Sequence, residues 1–317
     1  MALEMRKLGY DVKILLSSPS RFTWFAYPDD LTVLLDKPIA DNVNLWPKCD
    51  IIIATGCSTV KKTVLYDLPA KNKFYWIRGY ETWSMSEDDL INTYKSGLRL
   101  IVNSTWQKQN IFEKCNITPD IIYSGIPIDE FRNIHMNTVK MGYGKKRITI
   151  GGLYSSRPHK NIGMLLDIAR LLNRRGLLEK LLLLSNELPK INLSDINTEV
   201  LLRPSLNKKI EMYTNCDVWV STSINDGFHI PPAEAIICGT PIVVNGVKSS
   251  GTSDYAINEV TAKIYLKPEE ACDKIIQYFS NEEDRTKHSL RAFSLLKEKI
   301  GDVRENALRF ISLIRGQ

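Results

Sequence analysis

Val218-Trp219-Val220-Ser221-Thr222-Ser223-Ile224-Asn225-Asp226-Gly227-Phe228-His229-Ile230-Pro231-Pro232-Ala233-Glu234-Ala235 reads as a strand, a turn and a helix in quick succession. A short apolar run ends at Ser221, and the turn around Gly227 exposes several backbone N–H groups. Pro231 and Pro232 then suit the first turn of a helix, where a missing N–H costs nothing. Glu234 falls in the early turns of that helix. Asp226 and Glu234 thus lie on either side of one turn at a strand end, where two carboxylates can hold the hydroxyls of a sugar and a ribose. The same residues also read as a turn cap and a helix cap.

Outward from this stretch, short apolar runs alternate with helical segments along the chain. Strands are expected at 12–16, 31–35, 51–54, 74–77, 98–103, 121–123, 147–151, 180–184, 199–202, 218–221 and 241–244. Several place Ile, Val or Leu on consecutive positions, the pattern of strands covered on both faces. Between them lie amphipathic segments such as 161–174, with Ile162, Leu165, Leu166, Ile168, Ala169 and Leu172 on one side. Alternating strand and helix predicts an α/β fold with mostly parallel sheets. The polar stretch 134–146, with two glycines, interrupts the alternation and marks the expected break between two similar units. Ligands in such sheets bind beyond the carboxyl ends of the strands.

The 317 residues suit two domains, and 44% hydrophobic with 25% charged residues is the composition of a globular chain. No apolar run reaches the length of a membrane helix, and charges throughout the N-terminal segment exclude a signal peptide. The six cysteines form no CxxC pair and no metal-ligand spacing, and read as small buried apolar residues in a reducing, cytoplasmic setting. Residues 1–134 carry 16 basic and 16 acidic residues, so the net charge of +6 comes wholly from 135–317. That excess suits an anionic ligand in the second half. Basic residues do not cluster beyond pairs, which disfavours nucleic acid; membrane contact is expected to be peripheral at most.

A second segment, Gly151-Gly152-Leu153-Tyr154-Ser155-Ser156-Arg157-Pro158-His159-Lys160-Asn161, reads as a strand ending in glycines, a loop and a helix start. Glycines permit close backbone approach, and Arg157 and Lys160 put two cations beside a helix N-terminus, a setting for a phosphate or diphosphate. The alternative is a loop with solvated charges. Neither a dinucleotide fingerprint nor a P-loop is present.

With these motifs in view, the chain resembles the retaining GT-B glycosyltransferases of the family 4 type. Asp226-Gly-Phe-His-Ile-Pro-Pro-Ala-Glu234-Ala-Ile-Ile-Cys-Gly-Thr-Pro-Ile-Val-Val244 follows that family's acidic-x7-Glu signature nearly position for position. The Arg157/Lys160 loop is similar to its phosphate-binding segment. Gly125-Ile126-Pro127-Ile128-Asp129-Glu130-Phe131 resembles the element that closes its first domain, and Leu8-Gly9-Tyr10-Asp11-Val12 the join of its first helix and second strand.

The resemblance implies a GT-B fold, two Rossmann-like domains facing each other across a cleft. Residues 1–140 would form the acceptor-side domain and 141–300 the donor domain, with 301–317 a helix returning to the first. It implies transfer from a nucleotide-sugar donor to a glycan or lipid-linked acceptor, with retention and without a metal or other cofactor. Arg157 and Lys160 would bind the donor diphosphate, and Glu234 the ribose. Asp226 would face the donor sugar, with Gly152, Gly227 and the backbone of Phe228, His229 and Ile230 completing the pocket. Where relatives carry a His-Asp or an acidic residue in an acceptor-facing loop, this chain has Arg78, Tyr80 and Glu81; Trp76 and Trp83 read as packing residues.

Two departures stand out. The family opens with a strand and a Gly-rich loop, whereas this chain starts within what reads as the following helix. Asp226 replaces a glutamate, shortening the reach by one methylene. A non-catalytic module of the same fold that binds a nucleotide or glycan is the contrasting expectation.

Overall fold

The computed structural model describes residues 1–16, 28–135, 146–247 and 250–316. Two compact units emerge: Met1–Gly125 with Val303–Gln317, and Ile126–Asp302. Much of the polar stretch 134–146 lies outside the described residues. The division falls ahead of it, at residue 125 rather than 140, because the helix after it buries Ile128 and Phe131 within the second unit.

The first unit contains α1 (Ala2–Lys7), β1 (Ile14–Leu16), β2 (Thr32–Leu34), α2 (Lys37–Asp41), β3 (Ile52–Ala54), α3 (Val60–Leu65), β4 (Lys73–Ile77), α4 (Glu87–Tyr94), β5 (Arg99–Val102), α5 (Thr105–Cys115) and β6 (Asp120–Ile121). β1 and β2 pair in parallel, and a four-stranded parallel sheet runs β3-β4-β5-β6. β4 shows why a continuous apolar run marks a strand covered twice. Tyr75 and Ile77 join Leu90, Tyr94, Val102 and Ile111 on one face, while Phe74 and Trp76 join Ile101 and Ile122 on the other. Ser104 caps α5 by accepting the Gln107 N–H at 3.2 Å, and Asn116, left-handed at φ 54°, ends it.

The second unit contains α6 (Ile128–His135), β7 (Ile148–Tyr154), α7 (Ile162–Arg174), β8 (Leu178–Ser185), β9 (Thr198–Leu202), α8 (Leu206–Asn215), β10 (Val218–Ser221), α9 (Ile230–Ile237), β11 (Ile242–Asn245), β12 (Lys263–Tyr265), α10 (Pro268–Ser280) and α11 (Glu282–Leu295). Its six strands are all parallel in the order β12-β11-β10-β7-β8-β9. Counted from β7 this is the doubly wound order 3-2-1-4-5-6, in which the winding reverses between β7 and β10 and leaves a ligand crevice at their carboxyl ends. Ile148, Ile150, Leu181, Leu183, Val218 and Val220 form the sheet side of the core, under Leu165, Ile168, Ala169 and Leu172 of α7. Eleven of the strands fall where the apolar runs predict them; β12 has no counterpart among those runs.

A π-helical turn, Leu296–Ile300, follows α11, and the chain then enters α12 (Val303–Arg315), which belongs to the first unit. Its Ala307, Phe310 and Ile311 close the second face of that unit's sheet, with Phe310 stacked on Trp76 at 5.2 Å between ring centroids.

Candidate functional site

The two segments singled out in the sequence come together at the winding reversal. After β7 the chain forms a loop with a 3-10 turn at Pro158–Lys160, and Asn161, left-handed at φ 51°, leads into α7. After β10 a second loop ends at His229, left-handed at φ 63°, which leads into α9. The loops are sewn to each other. Thr222 Oγ1 donates to the Lys160 carbonyl at 2.9 Å, the Ile224 N–H donates to the His159 carbonyl at 2.9 Å, and Lys160 Nζ lies 2.5 Å from Asp226 Oδ1. A third segment backs them: the Gly251 N–H donates to the Asp226 carbonyl at 3.0 Å.

The charges here are mostly sheltered. Burial alone would raise the Asp226 carboxyl, but His229 and Lys160 hold it below the usual carboxylate range. The His229 ring is buried, with Nδ1 3.1 Å from Ser221 Oγ and Nε2 3.4 Å from Ser223 Oγ. Burial pushes its pKa down to about 4, against the pull of Asp226 at 3.7 Å, so the imidazole is neutral at pH 7. Its carbonyl accepts from Tyr255 OH at 2.6 Å, and the same tyrosine packs on Phe228 with ring centroids 5.5 Å apart. Arg157 is exposed, and among the described residues no carboxylate pairs with its guanidinium. Its neighbour Ser156 is anchored by Glu187, which accepts the Ser156 N–H at 2.6 Å and the hydroxyl at 2.9 Å. Ile230 stands 40% exposed at the start of α9, within reach of solvent.

Glu234 is buried in α9, with both carboxylate oxygens engaged: Lys209 Nζ lies 2.6 Å from Oε1, and Tyr213 OH donates to Oε2 at 2.7 Å. Glu234 is not a helix cap, since α9 starts at His229 without a side-chain cap and Glu234 turns towards α8. Each acidic residue of the D-x7-E motif therefore carries a lysine partner. Lys209, Tyr213 and Glu187 are absent from the sequence reading; only the four-residue spacing of Lys209 and Tyr213 on one helix would have joined the first two.

Gly152 is placed differently from its expected role. Gly151 and Gly152 lie inside β7, which runs on to Tyr154. A Cβ at Gly151 would collide with Cys216 and Trp219, and one at Gly152 with Leu165 of α7. These glycines serve close packing between the sheet and its helices. Gly227 is buried under Gly251, as a tight turn requires.

In the first unit, Arg78 is exposed beyond β4. Tyr80 donates to Glu87, which also takes the Lys114 ammonium, and that ammonium lies 5.4 Å from the Tyr80 ring centre. Glu81 accepts the Cys57 N–H at 2.6 Å, tying the loop after β4 to the turn after β3. The Cys57 thiol is pushed up to about 11 by burial and by Glu81. Trp76 is a core residue, whereas Trp83 is 49% exposed and rests against Gly79. Among the described residues, no group of three or more His, Cys, Asp or Glu side chains is placed to hold a metal ion, and no helix is long and apolar enough to cross a membrane.

Residues 145–295 match the family model of glycosyl transferases group 1, a span that holds the whole six-stranded sheet and both loops. The fold is similar to that of sucrose-phosphate synthase from Thermosynechococcus elongatus, with a TM-score of 0.71 at 13% identity over 99% of this chain and 91% of that one. It is also similar to HepE from Anabaena in complex with UDP and glucose, with a TM-score of 0.70 at 14% identity over 91% of this chain and 87% of that one. A TarM variant from S. aureus, in complex with fondaparinux, alpha-GlcNAc-glycerol and UDP, aligns with a TM-score of 0.64 at 19% identity. That alignment covers 83% of this chain, which spans 55% of the TarM chain's length. No curated protein matches the chain by sequence. The α/β architecture with parallel sheets is that of the GT-B proteins, as the motifs predict.

Proposed function

We propose that this protein is a glycosyltransferase that takes a sugar from a nucleoside-diphosphate sugar bound on the second unit and passes it to a glycan or lipid-linked hydroxyl. The observation that carries the reading is the Lys160–Asp226 ion pair, joining the loops after β7 and β10 where the winding reverses. A lysine ammonium has three donors, so Lys160 can keep Asp226 and also take a phosphate oxygen. In this reading Arg157 and Lys160 neutralise the diphosphate as it leaves, which is where negative charge grows. Asp226 and the backbone N–H groups from Phe228 to Ile230 face the donor sugar, and Glu234 accepts from the ribose. The resemblance of the D-x7-E motif to the retaining transferases supports transfer with retention, and in this reading the two cations take the part that a divalent ion plays in other transferases. UDP in the HepE and TarM complexes makes uracil the base to test first. The six free cysteines, four of them buried, suit a cytoplasmic setting.

Titrating the chain with UDP, GDP, ADP and TDP by calorimetry tests the donor site, with Glu234→Ala as control. One nucleotide is expected to bind selectively and to lose roughly tenfold or more in affinity in the variant, the loss of hydrogen bonds to a charged group. Incubating the matching nucleotide sugar with an acceptor panel, with and without EDTA, and reading the anomeric signal by NMR tests transfer, retention and metal independence together. Binding without transfer or donor hydrolysis would make the chain a binding module instead.

A further inference from the structure

We propose that Lys209 is a positioning residue that makes the second unit selective for ribonucleotides over 2′-deoxyribonucleotides, an inference that rests on the donor-site reading of Glu234. The Glu234 side chain is only 7% exposed and shares its surroundings with the buried Tyr213 and Cys238. A carboxylate so enclosed is costly unless hydrogen-bond donors take the place of its lost water. Two donors do so here, on separate oxygens: Lys209 at 2.6 Å from Oε1 and Tyr213 at 2.7 Å from Oε2. Both come from one helix, four residues apart, so a single element holds both oxygens and fixes the rotamer of Glu234. Lys209 is itself held from the other side, its ammonium 5.7 Å from the centre of the buried Phe131 ring.

The consequence concerns lone pairs. An ionised carboxylate accepts at both oxygens, and each retains acceptor capacity after one bond. Vicinal ribose hydroxyls are two adjacent donors, so they match a rotamer-locked Glu234 carboxylate. A deoxyribose brings one hydroxyl fewer and leaves part of that buried acceptor capacity without a partner. Rotation of Glu234 would abolish the distinction. Lys209 thus acts on sugar recognition through Glu234, not by touching phosphate.

The test compares UDP, GDP and ADP with their 2′-deoxy forms by calorimetry, using the wild-type chain, Lys209→Met, Lys209→Arg and Tyr213→Phe, each with a thermal melt. The wild-type chain is expected to prefer the ribonucleotide by roughly tenfold or more. In Lys209→Met the ratio should fall to within about threefold while deoxynucleotide affinity holds; Lys209→Arg should keep the wild-type ratio and Tyr213→Phe should lower it. An unchanged ratio in Lys209→Met, or an equal loss for both sugars, would overturn the inference while leaving the donor site standing. Should Lys209→Met not fold, an unchanged ratio in Lys209→Gln overturns it alone. No nucleotide binding by the wild-type chain sinks the donor-site reading, and this inference with it.

Discussion

Lys160 Nζ and Asp226 Oδ1 lie 2.5 Å apart, on two loops separated by 66 residues, with side chains only 15% and 13% exposed. A pair so sheltered is asymmetric: formed, it offsets the desolvation of both charges, but either partner left alone is an uncompensated buried charge. Lys160→Met is therefore expected to lower unfolding free energy by about 3 kcal/mol at pH 7. Adding Asp226→Asn should restore part of the loss. Urea denaturation of both variants measures the coupling, and independent, additive losses would show that the pair contributes little. Donor hydrolysis should fall in both, because neither restores the cation.

Gly251 supports the Asp226 loop by leaving room for it. A methyl there would press into the Gly227 carbonyl and come within 2.7 Å of Phe228 Cα, both backbone positions that no rotamer change can relieve. Gly251→Ala should cost about 3 kcal/mol, the upper range for overpacking, and weaken nucleotide binding further by displacing the 226–229 turn. A variant that melts and binds like wild type would mean that this contact relaxes freely.

Gly163 gives the opposite expectation. It lies exposed in α7 with nothing within 4 Å of where a Cβ would stand. Gly163→Ala should raise stability by roughly 0.5 kcal/mol through the unfolded chain, with nucleotide affinity unchanged. A lowered denaturation midpoint would contradict it.

Acid should weaken the second unit before its carboxylates titrate. His229 ionises near 4 when folded and near 6.5 when unfolded, so below pH 6.5 the unfolded chain binds a proton that the folded one refuses. Stability then falls as pH drops, by about 1.4 kcal/mol per unit and roughly 3 kcal/mol by pH 4. His159 and His288, both lowered by burial, act in the same direction. Glu259, held down to about 2 by Lys263 and Lys274, loses its contribution only as pH falls through the carboxylate range below that window. Denaturation midpoints between pH 7.5 and 4.5 measure the slope, which His229→Asn should flatten; asparagine tolerates the left-handed backbone at that position.

Much of this architecture was legible because its information is local. Strands covered on both faces, such as β4 and β7, announce themselves as unbroken apolar runs, and the D-x7-E turn is written within one segment. What escaped depends on residues distant in sequence. β12 is three residues long and opens with Lys263, whose ammonium is hidden by Glu259 at 2.8 Å and the Tyr278 ring at 5.2 Å. Hydropathy reads that lysine as solvent-facing. Gly151 and Gly152 suggested a ligand loop because nothing nearby in sequence shows that Cys216, Trp219 and Leu165 crowd them. The partners of Glu234 come from a helix more than twenty residues earlier, and no motif linked them to it.

The membership of α12 sets an order of events during synthesis. The second face of the first unit's sheet, with Trp76 at its centre, lacks Ala307, Phe310 and Ile311 until those residues leave the ribosome. The second unit, ending at Asp302, has by then its entire chain available. Domains generally fold as units, N-terminal first, as the chain emerges. Here that order is inverted: the unit begun first waits for the last helix with a sheet face bare, and the unit begun second can fold before it. A chain cut at residue 302 and released from the ribosome should thus resist protease over 146–302 and remain cleavable over 1–125, and protection of the first unit should arrive only with α12.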